Sequence, residues 1–410
     1  MGLRTGASLL LARDPEAAAR HAAEVLGRLR GLATKVGQMV SYVDGFIPEE
    51  HREHFEAALR GLRCAAPCSE PEQVMRLVEQ ELGAPIDQLY AEFETEPFAS
   101  ASIGQVHRAR LADGRHVAVK VQHPGIEPAI DADLANGATL EGILSLLSPK
   151  VLDSRRIYNE LAQRIREELD YTLEAKRQRQ FARIHHGDAS IRVPRVVPER
   201  SARRVLTSEL MRGHSFEWAV AQPPELRRQF ASVLWRFVFR GNLVGGVFNA
   251  DPHPGNYLFG EDGSVTFLDY GCVQPIGRER LRDARRLHLA ARQRDEQQFR
   301  QRCVKILGTR GGSYETAALA HSRMTMEPLF ASPFHVTREF VAQMVKNVFE
   351  LKSQLFADDK SFTSIPEGIL FMNRLHFGFY SVLARLDTCV DYRAVEDEFC
   401  RDAQIPELVA

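Results

Sequence analysis

The sequence predicts an α+β fold of two lobes with a helical extension in front, predominantly helical overall. Three observations carry this prediction: helical patterning over the first ninety residues, a switch to strand alternation with a hairpin signal from about residue 97, and a return to helical patterning after Gly213. The boundaries read as 1–90 for the extension, 91–213 for a first lobe with a small sheet and one long helix, and 214–410 for a second, mostly helical lobe.

Each element has a local cause. Asp14, with Pro15 at the first helical position, starts a helix that runs to about Val43. Ser69 and Glu72 form an S-x-x-E capping box before Val74, Leu77, Val78 and Leu82, and Gly83 ends that helix. Residues 99–111 and 116–122 read as strands joined by Asp113-Gly114. In the second strand Val117, Val119 and Val121 share one face, while His116, Ala118 and Lys120 share the other. One helix is expected over 154–186, because Ile157, Leu161, Ile165, Leu169 and Leu173 recur every four residues. Strands follow at 192–197 and 204–211, and a hairpin turns at Glu261-Asp262-Gly263 within the last, helical part.

Composition removes several function classes. The chain has 53 Lys+Arg against 54 Asp+Glu, a net charge of −1, without the basic excess of a nucleic-acid binder. A hydrophobic fraction of 44% with 26% charged residues suits a folded chain. No window of about 18 apolar residues is free of charge, so no spanning helix is expected. The first residues read as too short an apolar run for a secretory signal. Six scattered cysteines read as reduced thiols, and the close pair Cys64 and Cys68 lacks nearby partners for a zinc site. The expected location is cytoplasmic, with no transmembrane segment and with peripheral contact at the inner face of a membrane left open.

The chemistry is concentrated in a few motifs. Phosphoryl transfer needs a carboxylate that orients the attacking group and oxygen-bearing side chains that hold Mg²⁺ on the phosphates. Asp251-Pro-His-Pro-Gly-Asn256 sets an Asp five residues before an Asn, and Asp269-Tyr270-Gly271 follows thirteen residues later, beyond a hairpin. Protein kinases arrange their catalytic Asp, metal-binding Asn and DFG Asp in this order. A Pro/Gly surface loop beside an unrelated turn is the plainer alternative, and spacing and context together disfavour it. Lys120 in Val-Ala-Val-Lys suits the kinase lysine that meets phosphate oxygens. The run Ala99-Ser100-Ala101-Ser102, with Gly104 after it, stands where a kinase carries its glycine-rich loop.

With Lys35-Val-Gly-Gln38 (KxGQ) and Glu168-Leu-Asp170 (ExD) added, the motifs occur in the order of a known family. Over residues 30–399 the chain resembles the UbiB/ADCK family of atypical kinases, in particular its coenzyme Q (ubiquinone) biosynthesis branch. The resemblance implies that Lys120 contacts the nucleotide phosphates and pairs with Glu168, that Asp251 is the catalytic-loop Asp, and that Asn256 and Asp269 bind Mg²⁺. It further implies a nucleotide-facing loop at Ala99, Ser100, Ala101 and Ser102, and a hinge from Glu209 to Met211 whose backbone meets the adenine. Lys35 and Gln38 would cap the cleft. They are three apart on a helix and share a face. Glu168 and Asp170 are two apart, and at about 100° per residue they diverge on a regular helix. Glu168 is therefore expected to face Lys120, and Asp170 the extension.

The departures from the family are Ser100 where Ala is common, Asn249 where His is frequent, and Tyr270 in place of Phe. No A-P-E element follows Asp269, and residue 278 onward already reads as a helix. That helix, with seven arginines against two acids over 278–294, reads as a solvated face, and the apolar stretch 368–386 reads as core. The function expected is a kinase or ATPase that binds Mg²⁺ with ATP or ADP between two lobes. It would support isoprenoid-quinone synthesis by ATP hydrolysis or by phosphoryl transfer to a small molecule or lipid. A protein kinase acting in trans and a nucleotide-gated scaffold or lipid chaperone with negligible turnover stay open as alternatives. The partners implied by resemblance are quinone-biosynthesis proteins or quinone precursors; a homodimer is left open, and nucleic acid is not expected.

Overall fold

Three valines at alternate positions, Val117, Val119 and Val121, are at most 1% exposed and form the centre of a five-stranded antiparallel sheet. The computed structural model describes residues 69–101, 103–135, 154–356 and 369–408. The helix expected from Asp14, with Lys35 and Gln38, lies outside these residues, as do Cys64, Cys68 and Ser102.

In chain order the described elements begin with α1 (Pro71–Leu82), α2 (Ile86–Leu89), β1 (Glu92–Phe93), β2 (Ala99–Ala101), β3 (Gly104–Arg110) and β4 (His116–Gln122). Next come α3 (Ile126–Ala135), α4 (Ser154–Glu168), α5 (Tyr171–Ile184), β5 (Ile191–Arg192) and β6 (Val205–Glu209). They are followed by α6 (Phe216–Val220), α7 (Pro224–Leu243), β7 (Val247–Asn249), β8 (Tyr257–Phe259), β9 (Val265–Phe267) and β10 (Val273–Pro275). The remainder holds α8 (Arg278–Gln293), α9 (Glu296–Leu307), α10 (Gly312–Thr325), α11 (Glu327–Phe330), β11 (Phe334–His335), α12 (Arg338–Phe356), α13 (Ile369–Leu386), β12 (Cys389–Val390) and α14 (Tyr392–Ala403).

The fold is α+β and parts into two compact units. The first runs to Ala175 and takes in Val196–Leu210; the second comprises Lys176–Arg195 and the chain from Met211. The sequence division kept 176–195 in the first lobe. These residues join the second unit because Phe181 and Ile191 pack into its core.

In the first unit β3 and β4 pair with Arg110 opposite His116, closed by a turn in which Gly114 has φ 87°. A positive φ of this kind costs glycine nothing, which is why Asp-Gly marks the turn. The valine face packs against Val74, Leu77 and Val78 of α1. Gly83 ends α1 in the left-handed conformation, as its position predicts.

Four local expectations fail; the first is the strand over 192–197, which is reduced to β5, Ile191–Arg192. The expected strand 99–111 is two strands, β2 folding back on β3 with Ala101 opposite Gly104. The capping box does not form: Glu70 is the N-cap and no side chain caps the helix. The Ser69 hydroxyl bonds His123 Nδ1 at 2.8 Å instead, and its N–H donates to Gln105 Oε1 at 3.0 Å. The single helix over 154–186 is broken between Glu168 and Tyr171. Asp170 causes the break, since its Oδ1 accepts the Thr172 N–H at 2.9 Å and so begins a new helix.

The second unit is built on α7, whose Phe230, Leu234, Trp235, Phe237 and Phe239 are all buried. A helix apolar on most sides belongs in a core. Phe377, Phe379, Tyr380, Val382 and Leu383 of α13 pack in the same cluster, which supports the core reading from Phe377 on. The arginine-rich helix α8 is not simply a solvated face. Arg285 donates to Leu243 O at 2.8 Å, and buried Arg292 lies against Glu396 and Asp397 of α14. Glu396, fully buried, also accepts from Trp235 Nε1 at 3.2 Å and meets His288 Nδ1 at 3.2 Å. Among the described residues no helix is long and apolar enough to cross a membrane.

His185 on this core is 3% exposed and stacks on Phe237 at 4.9 Å. Burial first, then Arg240, pushes its pKa from 6.5 down to about 3. The unfolded chain therefore binds the extra proton, and the stability that neutral His185 provides is complete above pH 6.5 and lost as pH falls toward 3. Between pH 7.5 and pH 5 the native chain should lose about 2 kcal/mol more stability than His185→Phe, as read from urea unfolding at both pH values. Equal losses would refute the assignment.

Candidate active site

In the first unit the site begins with Lys120. It lies on β4, between Val106 of β3 and Leu206 of β6, so both neighbouring strands fix its backbone. Its side chain leaves the face opposite the valines, as alternation predicts. Nζ donates to Glu174 Oε1 at 2.8 Å and Oε2 at 2.9 Å, and lies 5.0 Å from the centroid of the Tyr171 ring. The Glu174 carboxylate is 6% exposed, so the pair is largely shielded from water. This corrects the pairing expected with Glu168. Glu168 is the last residue of α4, and the break at Asp170 resets the helical phase, so that Glu174, one turn into α5, points at the lysine. The divergence argued for Glu168 and Asp170 assumed a regular helix, which this segment is not; Asp170 caps α5.

Gly104 has a steric cause. A Cβ there would stand 2.3 Å from the Val121 carbonyl oxygen and 2.8 Å from the Tyr171 hydroxyl, so no side chain fits. The strand β2 before it is open, with Ala99 and Ser100 exposed and Ala101 half-buried. Glu209 ends β6, exposed, and the boundary between the units falls between Leu210 and Met211, within the expected hinge segment.

In the second unit β7 pairs antiparallel with β10, Asn249 opposite Val273, and this brings the two motif loops side by side. The Asn249 side chain joins them. Its Nδ2 donates to Asp269 O at 2.7 Å, and its Oδ1 accepts the Asp251 N–H at 3.1 Å. A turn at Pro254–Asn256 then folds Asn256 back, with Nδ2 donating to Asp251 O at 3.3 Å. Its backbone carbonyl accepts from Leu268 N at 3.0 Å, next to Asp269. The Gly271 N–H donates to Asp269 Oδ1 at 2.7 Å. His253 is exposed; its Nδ1 accepts the Gly255 N–H and its carbonyl the Asn256 N–H, in keeping with a loop role. Tyr270, fully buried, donates to Phe267 O at 2.9 Å, so the hydroxyl that distinguishes it from Phe is satisfied. Burial and then the Asp269 charge hold its phenol well above the usual range.

The second unit thus orders a carboxylate, an amide and a second carboxylate along two loops tied by one asparagine. Residues 61–303 match the ABC1 atypical kinase-like domain. The chain belongs to that family. Activity of BC1 Complex Kinase 7, a chloroplastic protein of Arabidopsis thaliana, is 38% identical over 61% of this chain and 36% of its own length. The mitochondrial atypical kinase coq-8 of Caenorhabditis elegans is 29% identical over 92% of this chain and 50% of its own. The mitochondrial atypical kinase COQ8B of Rattus norvegicus is 31% identical over 78% and 60% respectively. The chain therefore spans between about a third and three fifths of the length of these relatives. A solved complex of Rv3197 with erythromycin from Mycobacterium tuberculosis matches 98% of this chain and 99% of that one, with 30% identity and a TM-score of 0.65.

The donor set of this ABC1 domain suits Mg²⁺. Asn256 and Asp269 offer oxygen donors, and Mg²⁺ commonly takes one or two such side chains plus phosphate oxygens. Among the described residues no group of three or more His, Cys, Asp or Glu side chains is arranged to hold a metal alone. A metal at this pair would accordingly arrive with the phosphates. Sequence reasoning missed Glu174, Tyr171 and the role of Asn249. The capping preference of Asp170 was the available signal for Glu174.

Removing one partner of a buried ion pair costs about 3–5 kcal/mol, whereas a half-exposed carboxylate costs about 1 or less. In denaturant unfolding, Glu174→Ala should therefore cost about 3 kcal/mol and Glu168→Ala about 1 or less. A double-mutant cycle should give Lys120 and Glu174 a coupling above about 1 kcal/mol and leave Lys120 and Glu168 uncoupled. The reverse ranking would restore the Glu168 pairing.

Proposed function

We propose that the chain is a Mg²⁺- and ATP-dependent kinase or ATPase that supports isoprenoid-quinone synthesis. The observation that carries the reading is the Asn249 bridge, which fixes the backbones of Asp251 and Asp269 at 3.1 Å and 2.7 Å while Asn256 is tied back to Asp251. The backbones that carry oxygen side chains at the kinase spacing are thus tied together, and preorganisation is where phosphoryl-transfer catalysis gains most. Lys120, held by Glu174, would donate to phosphate oxygens, and the open β2 would offer backbone N–H groups to them. Asp251 would orient the acceptor hydroxyl or water. Bound Mg²⁺ would neutralise charge on the phosphates, with Asn256 and Asp269 as its protein ligands. The backbone of Glu209 to Met211 would meet the adenine.

The acceptor in this reading is water, a small molecule or a lipid. Support comes from the short connection after the motif: six residues, Cys272 to Gly277, separate Gly271 from α8, and three of them form β10. A protein kinase needs a longer segment there to seat a peptide. The quinone assignment is supported by the atypical kinases coq-8 and COQ8B. Quinone precursors are lipids, which would bring the chain to a membrane surface.

Phosphate release from Mg²⁺-ATP by the purified chain, with and without liposomes and quinone-precursor phenols, tests this reading. Asp269→Asn should lower the rate by about a hundredfold or more, since metal-held charge stabilisation is worth several kcal/mol. Equal rates in both proteins would remove the enzyme reading. Label passing to added protein would favour a protein kinase.

A further inference from the structure

Arg177 belongs to none of the motifs and sits in the run Lys176-Arg177-Gln178-Arg179, which reads as a solvent-facing helix turn. In the second unit it is instead 8% exposed, and its Nη1 donates to the Gly271 carbonyl at 2.8 Å. Desolvating a guanidinium costs several kcal/mol, so it persists in such a place only where it is well bonded. Four residues on, Phe181 packs its ring 5.3 Å from that of Tyr270. Residues four apart share a helix face. One face of α5 therefore grips two consecutive residues of the Asp269-Tyr270-Gly271 turn, one through a ring contact and one through a charge-assisted hydrogen bond.

Gly271 is the residue of that turn with the most backbone freedom to lose. Its N–H holds Asp269 Oδ1 at 2.7 Å, and its carbonyl is the atom that Arg177 fixes. We propose that Arg177 is a positioning residue for the metal carboxylate: by fixing the Gly271 backbone it fixes the orientation of Asp269. This rests on the reading of Asp269 as a Mg²⁺ ligand. Arg177 touches neither metal nor nucleotide in this scheme, so its removal should weaken what Mg²⁺ adds to nucleotide binding and spare what the nucleotide achieves alone.

The test is binding of a fluorescent ADP by the full chain, in EDTA and across a Mg²⁺ series, for the native protein, Arg177→Met and Arg177→Lys. Arg177→Met should raise the Mg²⁺ concentration for half-saturation about tenfold, the worth of one hydrogen bond to a charged group, and change affinity in EDTA less than about twofold. Arg177→Lys keeps a charged donor on a shorter stem and should fall between, at about threefold. Unchanged half-saturation in Arg177→Met, or an equal loss of affinity in EDTA, would overturn the inference while leaving the kinase reading in place. If the methionine variant does not fold, unchanged half-saturation in the lysine variant overturns it. A native chain whose ADP binding ignores Mg²⁺ would remove both readings.

Discussion

The ammonium of Lys120 has to be paired, and the first unit is arranged around pairing it. A lysine on the central strand of a sheet, with its side chain 19% exposed, is costly to shield from water as an unpaired cation. Glu174 supplies that partner through two hydrogen bonds, and the Tyr171 ring adds its negative face to the same ammonium. Both come from the first turn of α5, three residues apart. Their direction depends on where α5 starts, which Asp170 determines by capping it. Gly104 completes the set, because the space a side chain would need is taken by the Tyr171 hydroxyl and the Val121 carbonyl. Lysine, glutamate, tyrosine, aspartate and glycine form one steric and electrostatic unit.

The second unit solves a different problem with the backbone. Asp251 and Asp269 lie eighteen residues apart in sequence, and two short strands, β7 and β10, bring their loops together. Strand pairing alone fixes the loops only up to Asn249. Beyond it, the asparagine amide acts as donor to one loop and acceptor from the other, a pairing of roles that one neutral amide can fill without a change of protonation. Asn249 is a departure from the commoner His of the family, and in this chain its two hydrogen bonds are independent of pH.

Features with local causes were legible in the sequence. The valine alternation, the Asp-Gly and Glu-Asp-Gly turns, the end of α1 at Gly83 and the spacing of Asp251, Asn256 and Asp269 all follow from residue type and position. Features decided by a distant partner were not. The four-residue apolar period of the sequence runs from Ile157 to Leu173 straight across the break at Asp170, and periodicity cannot register such a break. Ser69 has the sequence context of a cap, but His123, 54 residues away, takes its hydroxyl. Arg285 and Arg292 look solvated in a run of arginines until Leu243, Glu396 and Asp397 are placed beside them. The family motif suggested a glutamate for Lys120, and only the position of the helix break chose between Glu168 and Glu174.

The inward arginines of α8 also bear on what the site can accept. Arg285 ties α8 to the end of α7, and Arg292 ties it to α14, whose Glu396 is in turn held by Trp235 of α7. α8 is thus fixed to the helical core at several points along its length, and only six residues separate its first turn from Gly271. The connection between them, half of it committed to β10, has no slack with which to reshape around a peptide. Under the proposed function, selectivity must therefore come from an acceptor that fits a rigid turn. A phenol, a lipid headgroup or water meets that condition more readily than an extended polypeptide.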